Sequence, residues 1–369
     1  MALSKPQLGI QSPLQCQLCE RDSKISWKCL ECDLLMCSSC KNNIHPKFKT
    51  AGEHRIIAIK DIDSTSSLSK DSANVDITVV EEYQSHLNAI VQLAISLDDS
   101  LWIGEGFHKK GVRLFSSHKA LQKVKCEGNK LKVISSFNIQ VYGIAITPDN
   151  DLLIATDGQF LKKIKSGTNK ILDTVYDLKT YHPGTIYVTR NNKIIVGVVV
   201  TETKCMVLVM DQKGNHEKVY GEGQTGSISF RYTFKITSTN DGHIFVIDQL
   251  DNDGDGRVVV LRPEGTINTY SGHSAINTQD TEFSPTDLTT TPSDKVIVVD
   301  LASSTLHILN SSGNLITYIS TTDKQRIVQN PCTIGLAMVG QFCMIYLGTT
   351  TKEDSKEKGK LYKLNLIGC

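Results

Sequence analysis

Six times along the chain, a polar turn runs straight into a short apolar stretch rich in β-branched and aromatic residues. SLDDSLWIG (96–104), TPDNDLLIA (147–155), TRNNKIIVG (189–197), TNDGHIFVI (239–247) and TPSDKVIVV (291–299) share this shape, and VGQFCMIYLG (339–348) is a weaker sixth copy. The copies recur roughly every 42–52 residues. Runs this short, bounded by Gly, Asn, Asp and Pro, are strands rather than helices. Another short strand precedes each turn, as in YGIAITP and TIYVTR. After most runs come a third strand, a glycine turn and a fourth strand, as in VLVMDQKGNHEKVYG, VVVLRPEGTINTYSG and LHILNSSGNLITYIS. Four strands per copy, six copies, predict an all-β, six-bladed β-propeller over residues 75–369. Such a ring must close. Val75–Val80 (VDITVV) is expected to be the outermost strand of the last blade, beside the C-terminal KLYKLNLIG.

The chain before the propeller has a different chemistry. Six of the eleven cysteines lie between Cys16 and Cys40, and with two histidines they read C-x2-C-x9-C-x2-C-x4-C-x2-C-x4-H-x8-H. Paired thiolates on a tight turn reach one ion, and tetrahedral Zn²⁺ takes four S or N ligands. Cys16, Cys19, Cys29, Cys32, Cys37, Cys40, His45 and His54 therefore make two complete sites. Closed sites are structural, since a catalytic zinc keeps a position for water. A disulfide knot leaves the histidines unexplained, and a thioredoxin-like C-x-x-C needs a βαβ unit that nothing nearby suggests. The stretch 12–59 is too short and polar to bury a core, so metal must supply its folding energy. Spacing alone does not decide which pairs share an ion. KDIDSTSSLSKDSAN (60–74) is serine-rich and free of aromatics, and reads as a flexible linker.

The cysteine pattern, with its Trp27-Lys-Cys-x-x-Cys and Leu35-Met-Cys-x-x-Cys elements, resembles the B-box zinc finger of the tripartite-motif (TRIM) family over about residues 14–58. The resemblance implies a cross-brace. One zinc takes Cys16, Cys19, Cys37 and Cys40; the other takes Cys29, Cys32, His45 and His54. The turn entering each fourth strand resembles those of NHL-type propellers, which follow B-boxes in one TRIM subgroup. TRIM proteins usually carry a RING before the B-box and a coiled coil after it. Only 15 residues precede Cys16 and no apolar heptad persists, so neither is expected, nor is ubiquitin-ligase activity.

Function is constrained mainly by exclusion. Net charge is +1, no apolar run spans a bilayer, and the N-terminus lacks a signal-peptide core, so a cytoplasmic protein without membrane attachment is expected. No nucleophile elbow or phosphate loop is present, and no small-molecule substrate suggests itself. DNDGDG (251–256) begins like an EF-hand loop, but Arg262 stands where a calcium-binding glutamate belongs, so it reads as an acidic loop between strands. The expectation is a non-enzymatic zinc-binding scaffold whose propeller binds a protein partner and whose B-box mediates self-association or a second contact. Two alternatives stand beside it. One is RNA binding through lysines of the first two blades, including Lys109, Lys110, Lys123, Lys132, Lys162 and Lys163. The other is an accessory role in a ubiquitin-ligase complex.

Overall fold

The structure is a computed structural model. It describes residues 16, 18–19, 26–29, 35–47, 54, 56–58, 75–105, 120–201, 203–221, 228–251, 255–262, 264–322, 330–339, 342–351 and 357–368. The chain divides into two compact units, Met1–Ser72 and Ala73–Cys369. The proposed linker 60–74 lies outside the described residues apart from its flank at Val75.

The larger unit is a six-bladed β-propeller, each blade a four-stranded antiparallel sheet. The inner strands, in chain order, are Gln92–Ile95, Gly143–Ile146, His182–Val188, Thr233–Ser238, Pro285–Thr290 and Pro331–Val339. Blades one to five are built from consecutive strands. In blade six the outermost strand is Asp76–Gln84, which pairs antiparallel with the C-terminal strand Lys360–Ile367. The ring is thus closed by joining the two ends of the unit in one sheet, with Ile77 opposite Leu366 and Tyr83 opposite Leu361.

Each blade is covered on both faces by its neighbours, which explains why the sequence runs are continuously apolar rather than alternating. Val296–Asp300 is buried at all five positions. Between blades three and four, Ile195, Val207, Ile236, Val246 and Val259 pack in one cluster.

The recurring polar turns share one geometry. Their first residue donates its amide to the carbonyl of the fifth: Ser96 to Ser100, Thr147 to Asp151, Thr189 to Lys193, Thr239 to His243 and Thr291 to Lys295, at 2.8–3.0 Å. The fourth residue is left-handed in all five: Asp99, Asn150, Asn192, Gly242 and Asp294. Asn, Asp and Gly are the residues that tolerate this backbone. Where the fourth residue has a side chain, it can also cap the preceding blade. Leu97 N donates to Asn150 Oδ1, and Asn240 N to Asp294 Oδ1, both at 2.8 Å.

The smaller unit has a three-stranded sheet of Leu35–Met36, Trp27–Cys29 and Ile56–Ala58, with Trp27–Cys29 in the middle. A helix, Ser38–Asn43, and a single 3₁₀ turn, His45–Lys47, follow the Leu35–Met36 strand. Among the described residues no helix is long and apolar enough to cross a membrane.

Candidate functional site

The ends of the small sheet and the start of its helix bring together Cys16, Cys19, Cys37 and Cys40, whose sulfur atoms all lie within 4.8 Å of one another. These are the first and third C-x-x-C pairs; the middle pair is passed over. Cys37 is the N-cap of the helix, and its sulfur accepts from the Cys40 amide at 3.5 Å. The Cys37 amide in turn donates to Cys16 Sγ at 3.3 Å. Burial pushes the Cys16 thiol up, but the amides of Cys37, Leu18 and Cys19 and the Cys40 thiol favour its thiolate and bring it down to about 6. Burial, together with the neighbouring cysteines, pushes Cys40 up. This is one arrangement seen from two sides: Cys16 loses its proton first and the thiol of Cys40 keeps its own. A metal replaces such shared protons. The donor set fits zinc, because bonds of about 2.3 Å in a tetrahedron put sulfurs about 3.8 Å apart, a small contraction from the observed spread. Three of the four cysteines are almost wholly buried, so the site is closed to substrate. Met36 is buried against it, and Trp27 packs alongside with Lys41 Nζ 3.3 Å from its ring centre.

His45 is buried, and its ring centre lies 5.4 Å from that of His54. The structure describes Cys29 only as strand backbone, and Cys32 lies outside the described residues, so the second ligand set is not brought together here.

A second constellation lies on the propeller axis, and sequence reasoning did not find it. A cavity of about 340 Å³ is lined by all six inner strands. In blades three to six each inner strand carries a β-bulge near its start, at Pro183–Thr185, Thr233–Lys235, Pro285–Asp287 and Pro331–Thr333. A bulge re-aims the side chain beside it. Lys235 reaches across the axis from blade four. Its Nζ donates to Val91 O at 3.2 Å and to Gln92 Oε1 at 3.1 Å in blade one, and lies 3.5 Å from Asp287 Oδ2 in blade five. Asp287 also accepts from Thr333 Oγ1 and from the Ile334 amide in blade six. Gln92 Nε2 donates to Tyr142 O in blade two. One buried network therefore ties five blades together across the channel. Below it the walls are Ile, Leu, Val, Ala and Thr, with Tyr187.

The propeller has solved counterparts. Aldose sugar dehydrogenase from Streptomyces coelicolor, in its PQQ-bound form, is 12% identical, with a TM-score of 0.53 over 80% of this chain and 99% of its own. Streptogramin B lyase is 14% identical, with a TM-score of 0.50 over 81% and 100%. A calcium-binding protein, regucalcin from Agrobacterium tumefaciens, is 9% identical, with a TM-score of 0.54 over 77% and 92%. At these identities the likeness shows the fold alone. No protein-family model and no curated protein matches the sequence. The structures nonetheless correct one expectation. The sequence reading, finding no catalytic motif, expected no enzyme; two of these three counterparts are enzymes, and the axial cavity is a feature that no linear motif announces. A missing motif therefore does not exclude catalysis on this fold.

Four of the eight described lysines in the expected basic face are matched by acids. Lys123 pairs with Asp98 at 2.8 Å, Lys132 with Glu127 at 3.1 Å, Lys162 with Asp173 at 3.6 Å and Lys163 with Asp151 at 2.7 Å. Lys109 and Lys110 lie outside the described residues. In the acidic stretch at 251–256, Asp255 N donates to Asp251 Oδ1 at 3.0 Å and Gly256 opens the strand Gly256–Arg262; residues 252–254, Asp253 among them, lie outside the described residues. Burial first, then Glu282 and Asp251, push the Asp255 carboxyl up to about 7.

A repeated carboxylate also escaped the sequence reading. Asp248 and Asp300 end the second strands of blades four and five. Asp248 accepts the amides of Arg231 and Tyr232, and Asp300 that of Ser284. Each pins the loop leading into its blade's own inner strand. The signal was present in FVID and VIVVD, where an acid closes an apolar run.

Proposed function

We propose that this protein is a two-part recognition protein. A B-box-like module built on two structural zincs is tethered to an NHL-like propeller that binds a protein partner. The observation that carries this reading is the convergence of Cys16, Cys19, Cys37 and Cys40. Pairing the first and third C-x-x-C pairs, and skipping the second, is what a cross-brace requires, and a sequential arrangement would instead join Cys16 and Cys19 to Cys29 and Cys32. On this reading Cys29, Cys32, His45 and His54 hold the second ion, and the small module makes self-association or a second contact. A set of buried free thiols suits a reducing compartment such as the cytoplasm. Crosslinking pull-down with the full chain, identifying both protein and RNA, tests the reading. It expects specific protein partners. Recovery of RNA alone, or of nothing specific, sinks it.

The RNA alternative loses charge to the four ion pairs above. An accessory role beside a RING-bearing ligase is a subset of the partner reading. One observation favours a second reading, in which the axial cavity takes a small ligand, oriented by Lys235, Asp287 and Gln92 against apolar walls. A thermal-shift screen of metabolites against wild type and Gln92→Ala tests it. Stabilisation of wild type alone supports it, and a flat screen removes it.

A further inference from the structure

We propose that the groove between blades three and four is the seat of an acidic peptide segment that inserts one aliphatic side chain; this rests on the reading that the propeller binds a protein partner. The groove holds about 430 Å³, more than the axial cavity at about 340 Å³. It lies between the Thr189–Lys193 turn and outer strand of blade three and the Thr239–His243 turn of blade four.

It coincides with a difference among the turns. At the junctions of blades one and two and of four and five, the left-handed turn residue of the later blade caps a backbone amide of the earlier one. Between blades three and four that residue is Gly242, at φ +85°, which has no side chain to offer. A Cβ built there meets nothing within 4 Å. Arg190, whose amide occupies the position a cap would serve, instead sends its guanidinium to Asn240 Oδ1. The space a side chain fills elsewhere is open here.

The chemistry of the groove selects its occupant. The floor is aliphatic and buried: Ile195, Val209 and Ile244. The rim carries Arg190, Lys193 and Lys218 against Glu217. Lys193 is matched by Glu217 at 2.7 Å. Among the described residues, neither Arg190 nor Lys218 has a carboxylate within ion-pair distance, so the residues lining the groove carry an excess of two positive charges, with Asp294 at the Asn240 amide and Glu264 beside Tyr220 as the acids next to it. Of the eight described lysines on blades one and two, four are matched, Lys123, Lys132, Lys162 and Lys163. An apolar floor whose lining carries the unpaired cations Arg190 and Lys218 fits an aliphatic residue flanked by Asp or Glu. A nucleic acid fits less well. The one aromatic ring, Tyr220, lies under Lys218 Nζ at 5.6 Å from its centre and offers no free stacking face on that side.

The test is fluorescence anisotropy of the full chain with a labelled decapeptide, a central leucine flanked by aspartates and glutamates. Parallel probes are the same peptide with serine for leucine, and a labelled single-stranded RNA. The proposal expects saturable peptide binding that weakens with salt. It expects a loss on the order of tenfold with the serine peptide and with Arg190→Glu/Lys218→Glu. Gly242→Asn keeps every charge and suits a left-handed position, so it closes the groove without reversing its potential and should weaken binding comparably. Melting curves matching wild type confirm that the variants fold. No peptide binding, binding indifferent to these changes, or RNA binding in the peptide's place overturns the inference. If partners captured by wild type are retained by all the variants, this groove is wrong while the propeller still recognises its partner elsewhere. If wild type captures no partner, the broader reading fails as well.

Discussion

Replacing Lys235 with methionine removes a side chain that joins blade four to blades one and five across the propeller axis while keeping its volume. Lys235 and Asp287 are about 8% and 6% exposed, so their interaction is poorly screened. The ammonium has three protons and three acceptors: Val91 O, Gln92 Oε1 and Asp287 Oδ2. Methionine leaves Gln92 Oε1 and one edge of Asp287 without their protein donor. Breaking one partner out of a buried ion pair costs about 3–5 kcal/mol. Asp287 keeps the amides of Leu288 and Ile334 and the hydroxyl of Thr333, which softens its isolation. We therefore expect a loss near the lower limit, about 3 kcal/mol. The assay is urea unfolding of the full chain followed by circular dichroism, with Asp287→Asn and the double variant completing a cycle. The double variant should lose less than the sum of the singles by about 1–2 kcal/mol, because the second change removes a group already stranded. A Lys235→Met loss below about 1 kcal/mol, or strict additivity, refutes the view that this network ties the blades together.

Other perturbations separate the two units. Cys37→Ser removes both a candidate ligand and the acceptor of the Cys40 amide; it should lower the zinc-dependent stability of the small unit while leaving the propeller transition in place, as read by Trp27 and Trp102 fluorescence respectively. The lowered Cys16 thiol, about 6 against an ordinary 9.0, lets the cluster give up its proton to zinc at neutral pH, and that advantage is lost as pH falls through about 6. At a fixed free zinc concentration, Trp27 fluorescence should report unfolding of the small unit as pH falls from 8 to 5, and a flat profile contradicts the assigned thiolate. Asp255 has the opposite sign: its folded carboxyl is raised from 3.8 to about 7, so the native state holds a proton the unfolded chain releases, and stability falls as pH rises between the two. Asp255→Asn should therefore raise the melting temperature at pH 8 more than at pH 4, and an equal shift at both refutes the coupling to Glu282 and Asp251.

The blade count was legible because each of the first five blades spends one polar turn on a left-handed residue, and Asp99, Asn150, Asn192, Gly242 and Asp294 stand out against the apolar runs that follow. The closing strand was legible for the same reason, as an orphan β-branched run before the first complete copy. The axial network was not. Lys235, inside TFKITS, reads as the solvent-facing position of an alternating strand, and only the bulge turns it inward. No local signal marks such a bulge, because it is set by the partner strand. The ion pairs within the basic face were hidden for a related reason. The carboxylates that match Lys123 and Lys163 are Asp98 and Asp151, which come from the polar turns of their own blades and are 25 and 12 residues away in sequence. At the cysteines, spacing named the ligand types, but which pairs meet depends on how the Trp27–Cys29 strand lies between Leu35–Met36 and Ile56–Ala58.

The central claim is that the N-terminal unit is a zinc fold with interleaved pairs. Native mass spectrometry of the full chain expressed with zinc measures this directly. The account predicts two zinc ions in wild type and one in Cys40→Ser, with the remaining ion lost when His45→Ala is added. A chain that carries no zinc, or whose zinc count does not change with Cys40→Ser, contradicts it.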